Sequence, residues 1–332
     1  MKREIPGRVV HGGTILSHRR LSGQPLLDFS ANLNPFPPEI PWRPDPSSLA
    51  SYPDDRYESL REVIGRLFHR APDEIAVGNG SMEIIRIFCQ AALTDGDGFH
   101  VEHTTFGEYG LSARLAGACE REDPARARVR FICNPNNPTG TLRSAEELRS
   151  ILRQVASDSG TLFLDEAFIE LSDPHESLVT VRDPALFILR SLTKAFAVPG
   201  LRFGYGFGDP DLIARMEVLR PPWSVNTFAE EFAILAFRNY HLLEESRKRI
   251  RVEREWLERE LRDLDLTSLP SSANFLLVNL GGPAAELAAR LLIKGILVRD
   301  CASFGLPDSI RIAVRRREEN ERLVEALTEC MP

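Results

Sequence analysis

Lysine is scarce in this chain of 332 residues: four of its 41 basic side chains are lysines, Lys2, Lys194, Lys248 and Lys294. Cysteine is sparse and unpatterned. Cys89, Cys119, Cys133, Cys301 and Cys330 form no Cys-x-x-Cys pair and are odd in number. That argues against a disulfide framework or a zinc site and agrees with a reducing, cytoplasmic setting. Long apolar runs are missing: none reaches the roughly 18 residues of a membrane span. Met1 to His11 also lacks the apolar stretch of a secretory signal. Positive charge is not in excess, and a net charge of −7 argues against a nucleic-acid partner. The cluster Arg315-Arg316-Arg317 reads as a solvated helix start with Glu318 and Glu319. No internal repeat or low-complexity segment is present.

What remains is a globular chain long enough to bury a large core. Short apolar runs at Ile75–Val77, Phe99–Val101, Val129–Cys133, Leu162–Leu164 and Leu186–Leu189 alternate with helical stretches. This is the α/β pattern of a mostly parallel sheet with helices on both faces. Phe203–Phe207 follows its predecessor too soon for a crossover helix and is expected to pair antiparallel. After Trp223 the character changes to a long charged helix over Tyr240–Leu264, then Asn274–Leu280, a helix over Ala284–Ile293, strands Ile296–Arg299 and Ile310–Val314, and a last helix from Glu318. Three units are expected: an arm and proline-rich connector over 1–46 that packs near the small domain, a large domain over 47–222, and a small α+β domain over 223–332.

Four segments stand at the ends of apolar runs, where open α/β sheets place ligands. Lys194 lies in Ser191-Leu192-Thr193-Lys194, flanked by two hydroxyls, with Arg202 eight residues on. It is the one lysine in a Ser/Thr- and Gly-marked loop after a strand, a place to hold a reactive amine whose pKa is lowered by burial or nearby cations. Asp165 ends the run Leu162–Leu164. Asn134-Pro135-Asn136-Asn137-Pro138-Thr139-Gly140 is a turn stiffened by two prolines that presents amide side chains rigidly. Gly78-Asn79-Gly80-Ser81 opens a helix, where free backbone N–H groups and the helix dipole suit a phosphate.

In this order, and over nearly the whole chain, the segments resemble the fold-type-I pyridoxal-phosphate enzymes of the aspartate aminotransferase superfamily. The resemblance implies a pyridoxal 5′-phosphate cofactor held as a Schiff base on Lys194, with Asp165 at the pyridinium nitrogen and Asn137 at the ring O3′. Gly80, Ser81, Ser191, Thr193 and Arg202 would line the phosphate side, and Phe106 would stack on the ring. Tyr52, in Ser51-Tyr52-Pro53, would reach the cofactor phosphate of a neighbouring subunit, which implies a homodimer with shared active sites. His11, Asn32, Arg299 and Arg311 would orient a small phosphorylated amine or amino acid.

Two subfamilies compete. Histidinol-phosphate aminotransferases are similar in length and in the Asn-Pro-Asn-Asn-Pro-Thr-Gly and Tyr-Pro motifs. L-Threonine-O-3-phosphate decarboxylases of cobalamin synthesis, which are lyases, look closer. Their resemblance rests on His11-Gly12-Gly13, Phe29-Ser30-Ala31-Asn32-Leu33-Asn34-Pro35, Val198-Pro199-Gly200-Leu201-Arg202, Pro221-Pro222-Trp223-Ser224-Val225-Asn226, Val298-Arg299-Asp300-Cys301, and Phe168 where the aminotransferases carry tyrosine. Thr14 departs from the decarboxylase pattern, and the short stretch from Cys119 to Arg130 implies a reduced sheet edge. A non-catalytic cofactor-binding protein on the same fold is the remaining reading; the presence of Lys194, Asp165 and Asn137 together speaks against it.

Overall fold

A computed structural model describes residues 6–16 and 26–331. Lys2 lies outside the described residues. The arm contributes β1 (Leu27–Asp28). The large domain follows with α1 (Glu58–Phe68), β2 (Ile75–Gly78), α2 (Ser81–Ala92), β3 (Gly98–Val101), α3 (Glu108–Leu115), β4 (Cys119–Glu120), β5 (Val129–Cys133), α4 (Ala145–Ser157), β6 (Thr161–Asp165), β7 (Leu186–Arg190), the one-turn α5 (Leu192–Ala195), β8 (Gly204–Phe207), α6 (Pro210–Leu219) and α7 (Thr227–Arg238). The rest is α8 (Leu243–Asp263), β9 (Thr267–Ser268), β10 (Phe275–Asn279), α9 (Ala284–Ile293), β11 (Ile296–Leu297), β12 (Arg299–Asp300), β13 (Ser309–Ala313) and α10 (Arg317–Cys330).

Seven strands form the main sheet in the order β2-β8-β7-β6-β5-β3-β4. The pairs from β7 to β4 are parallel, and β8 pairs antiparallel with both β7 and β2, as its short connection requires. The short 119–130 stretch still supplies an edge strand, of two residues in β4. The central strands are apolar on both faces because both are covered. Leu162, Leu164, Leu186 and Ile188 join one core with α1, α4 and α7, while Phe163, Phe187, Val129 and Phe131 join the other with α2, α3 and α6. A period of two therefore sorts successive side chains onto opposite layers. Helix ends follow local chemistry: Ser144 accepts from Glu147 N–H at 3.2 Å while Glu147 accepts from Ser144 N–H at 2.9 Å, a reciprocal cap that starts α4.

A second, antiparallel sheet, β12-β13-β10-β9, carries the third core with α8, α9 and α10. The expected single strand Ile296–Arg299 is two. β11 pairs parallel with β1 of the arm, whereas β12 turns to pair with β13. Ala313 of β13 also donates its N–H to Phe29 O at 2.8 Å, which ties the arm to the small sheet. Helix α7 lies beyond residue 222, yet Ala229, Phe232, Ala233, Ala236 and Phe237 pack into the core of the large sheet against α1. Among the described residues no helix is long and apolar enough to cross a membrane, and no cluster of His, Cys, Asp or Glu could hold a metal ion.

Candidate active site

Strand register brings the four motifs to one edge. Cys133, Asp165 and Leu189 are neighbours across β5, β6 and β7, and Gly78 pairs with Gly204 across β2 and β8. The carboxyl ends of β2, β3, β5, β6 and β7 therefore release the Gly80, Phe106, Asn137, Asp165 and Lys194 segments side by side, and the antiparallel β8 brings Arg202 to the same edge. This is the crevice where open parallel sheets bind ligands.

Lys194 sits in the single turn of α5, and its charge interacts with Arg311, Arg202 and Asp165. Burial, reinforced by the Arg311 and Arg202 charges and opposed by Asp165, lowers its amine from 10.5 to about 8. Its ammonium lies 5.9 Å from the centre of the Phe168 ring, which packs edge-on against Phe275 at 5.1 Å. Asp165 is buried on the α3 side of the sheet. Burial raises its carboxyl from 3.8 to about 6, against the pull of two donors. Tyr109 O–H donates to Oδ2 at 2.6 Å, and Ala167 N–H donates to Oδ1 at 2.8 Å. A buried carboxylate with a nearby amine is suited to hold a cationic ring nitrogen.

The asparagines of the proline-stiffened turn divide their tasks. Asn134 clamps Arg143 through both backbone groups at 2.7 and 3.1 Å. Asn136 ties the turn to Thr104 and accepts from the Thr105 hydroxyl at 2.8 Å. Asn137 meets Arg311, which donates to its Oδ1 and leaves its amide hydrogens as the donors on offer. Both X-Pro bonds of the turn are cis.

Gly80 precedes α2 at φ 81°, and a Cβ there would stand 2.5 Å from the Arg202 Nη2. Gly204 is equally constrained, since its Cβ would meet Ser81 N at 2.4 Å. Bare backbone, a helix N-terminus and a guanidinium thus converge on one point, a cradle for a dianionic phosphate. Ser191 and Thr193 face each other, hydroxyl to hydroxyl, at 2.9 Å. Phe106 is half-buried and packs edge-on against Tyr109 at 5.5 Å. These features fit a phosphorylated, ring-protonated cofactor.

The four expected substrate residues gather from three parts of the chain. Arg311, 5 % exposed, donates to Ser30 O at 2.8 Å, and its Nε has no partner. Burial and the neighbouring Arg299 charge lower its guanidinium from 12.5 to about 10. Asn32 is buried with its Oδ1 unpartnered, as is the Oδ1 of Asn274. Buried polar atoms left open are costly unless a ligand completes them. Arg299 pairs in register with Arg311, but donates to Val10 O at 2.8 Å and to the Ser303 hydroxyl at 2.6 Å. His11 bonds Glu108 at 2.7 Å beside the Phe106 ring. These two therefore hold the arm in place. Tyr52 stands apart: it is exposed and stacks on Trp223 with ring centres 4.5 Å apart.

Tyr109 and Asn34 carry no sequence assignment. Tyr109 had a usable signal, since three residues from Phe106 at a helix start puts both on one face. Asn34 had none; its amide donates to Ala195 O, 161 residues away, at 2.7 Å.

The sequence profile of the family described as aminotransferase class I and II matches residues 118–327. A histidinol-phosphate aminotransferase of Symbiobacterium thermophilum is 34% identical over 98% of this chain and 95% of its own length. A provisionally named threonine-phosphate decarboxylase of Caldanaerobacter subterraneus subsp. tengcongensis is 35% identical over 96% of this chain and 92% of its own. The crystal structure of the histidinol-phosphate aminotransferase from Clostridium acetobutylicum superimposes with a TM-score of 0.80 at 30% identity, covering 92% of this chain and 98% of that one.

Proposed function

The chain belongs to the aminotransferase class I and II family, and we propose that within it the protein decarboxylates L-threonine O-3-phosphate to (R)-1-amino-2-propanol O-2-phosphate. The family's cofactor, pyridoxal 5′-phosphate, supplies when bound an electron sink for the pair left on the substrate α-carbon. Lys194 would anchor it, Asp165 would keep its ring nitrogen protonated, Asn137 would donate to its ring oxygen, and the cradle of Gly80, Ser81 and Arg202 would take its phosphate. Arg311, with Arg299, His11 and the side-chain N–H of Asn32, would hold the substrate phosphate, and the open Oδ1 of Asn32 would accept from a donor on the substrate. Binding energy from that non-reacting group then orients the bond that breaks.

The observation that carries the choice is Phe168. An aminotransferase must remove the α-proton, whereas a decarboxylase needs only a proton donor after carbon dioxide has left. Lys194, its amine lowered toward neutrality by burial and by the Arg311 and Arg202 charges, is placed to donate that proton. Phe168 gives its surroundings no hydroxyl. Together with Ala167, Ala273 and Phe275 it forms a small apolar cluster beside the lysine. A carboxylate held against such a wall is poorly solvated, while neutral carbon dioxide is not penalised. The other reading, histidinol-phosphate transamination, is favoured by the names of several relatives.

The assay that separates them follows labelled carbon dioxide from L-threonine O-3-phosphate without any 2-oxo acid, beside glutamate formation from histidinol phosphate and 2-oxoglutarate. We expect carbon dioxide release and little glutamate. Rapid transamination with no decarboxylation would overturn the reading in favour of the aminotransferase.

A further inference from the structure

We infer that Asn34 is a positioning residue for Lys194, tying the lysine turn to the segment that anchors the small domain. The inference rests on the assignment of Lys194 as the cofactor lysine. Helix α5 is a single turn, and so short a helix has little stability of its own. Its carbonyl ends are orphans unless something donates to them. Asn34 supplies two donors to successive carbonyls: its backbone N–H reaches Lys194 O at 3.1 Å, and its Nδ2 reaches Ala195 O at 2.7 Å. Its own Oδ1 accepts from Phe36 N–H at 2.9 Å, so the side chain is held at both ends. It is 2 % exposed, so these bonds are made out of solvent.

The same short segment is gripped from the other side. Arg311 of β13 donates to Ser30 O at 2.8 Å, and Asn274, just before β10, donates to Leu33 O at 3.1 Å. Residues 30–34 thus form a bracket with the small sheet at one end and the lysine backbone at the other. Asn32, with its open Oδ1, lies between them. A ligand that engages Arg311 and Asn32 pulls on the piece of chain that fixes where the Lys194 amine stands. Loss of the Asn34 side chain removes the donor at Ala195 O and loosens the end of α5, and the lysine relaxes away from its partly buried position near the Arg311 and Arg202 charges.

The test uses the full-length protein with two variants. Asn34→Ala removes both side-chain bonds. Asn34→Ser keeps a hydroxyl able to accept from Phe36 N–H but is too short to reach Ala195. Amine acylation of the cofactor-free chain, mapped by peptide to Lys194, is followed against pH, and pyridoxal-phosphate affinity is measured by absorbance titration. Wild-type labelling should have its midpoint near 8. In both variants the midpoint should rise toward that of an ordinary lysine, because leaving the buried, cationic setting favours the ammonium. Affinity should fall about 3- to 10-fold, the effect of one lost hydrogen bond. An unchanged midpoint with affinity within twofold in Asn34→Ser overturns the inference. Borohydride reduction of the loaded wild-type protein separates the two levels: label on a different lysine defeats the Lys194 assignment itself, whereas label on Lys194 with unaltered variants defeats only the role of Asn34.

Discussion

Asp165 and Tyr109 show how the electrostatics of one residue depend on a single donor. The carboxyl is raised to about 6 chiefly by burial, and the Tyr109 hydroxyl is the strongest force holding it down. An acid whose folded pKa lies above its unfolded value contributes stability that is present below the unfolded pKa and lost as pH rises through the folded one. For Asp165 in the cofactor-free chain that contribution is complete below about 3.8 and gone above about 6. Tyr109→Phe removes a donor from a buried carboxylate and moves the upper limit to higher pH. We expect the variant to lose about 1–3 kcal/mol at neutral pH and to recover part of the loss on acidification. Urea midpoints for the two proteins between pH 5 and 8 measure it. Parallel curves across that range would show that Tyr109 does not tune the carboxyl.

Strands β6 and β7 are tied behind the crevice by the residues next to Asp165 and Ser191. Glu166 follows Asp165, and Arg190 precedes Ser191, so the period of two turns both away from the α3 face. Arg190 donates to Glu166 at 2.8 Å and to Glu170 at 3.2 Å, all three being essentially without solvent. The Ser177 hydroxyl and the Leu178 N–H donate to Glu166 at 2.7 and 2.9 Å, and the Tyr205 hydroxyl donates to Glu170 at 2.7 Å. Arg190→Met leaves two buried carboxylates without their cation and should destabilise the fold by about 3–5 kcal/mol. Chemical denaturation reads the loss. Adding Glu166→Gln to that variant should return part of it, since one of the stranded charges is removed. Additive losses in the double variant would show that the pair is not coupled.

At the scale of the molecule, the large domain leaves several large apolar side chains to solvent. Tyr52 is 78% exposed and stacks on the half-exposed Trp223, with exposed Leu49 and Val218 also in the large domain. An aromatic pair left to solvent is unusual for a monomer. We propose that a second copy of the chain covers it and that Tyr52 serves the partner's cofactor phosphate. Sedimentation equilibrium should then give a dimer. Tyr52→Phe should weaken pyridoxal-phosphate retention without altering that mass, because the ring is kept and the hydroxyl removed. A monomer that holds its cofactor fully at low concentration would show that each chain builds its own complete site.

Much of the site was legible in the residues because its parts are local. A strand end, a stiffened turn and a glycine before a helix are written in a few consecutive residues, and Lys194, Asp165, Asn137 and Gly80 each announce themselves this way. The sheet followed from the same runs, since strands buried on both faces must be apolar throughout. What only the tertiary structure decided is what reaches across the chain. Strand register, not any local signal, brings Asp165 level with Cys133 and Leu189 and aims it at Tyr109. The Ile296–Arg299 run reads as one strand, yet two different partners divide it. Asn34 looks like any residue of a proline-rich connector until folding sets it against the lysine turn. Hydrogen bonds between residues over a hundred positions apart leave no periodicity in the sequence, because their geometry exists only once the layers have packed.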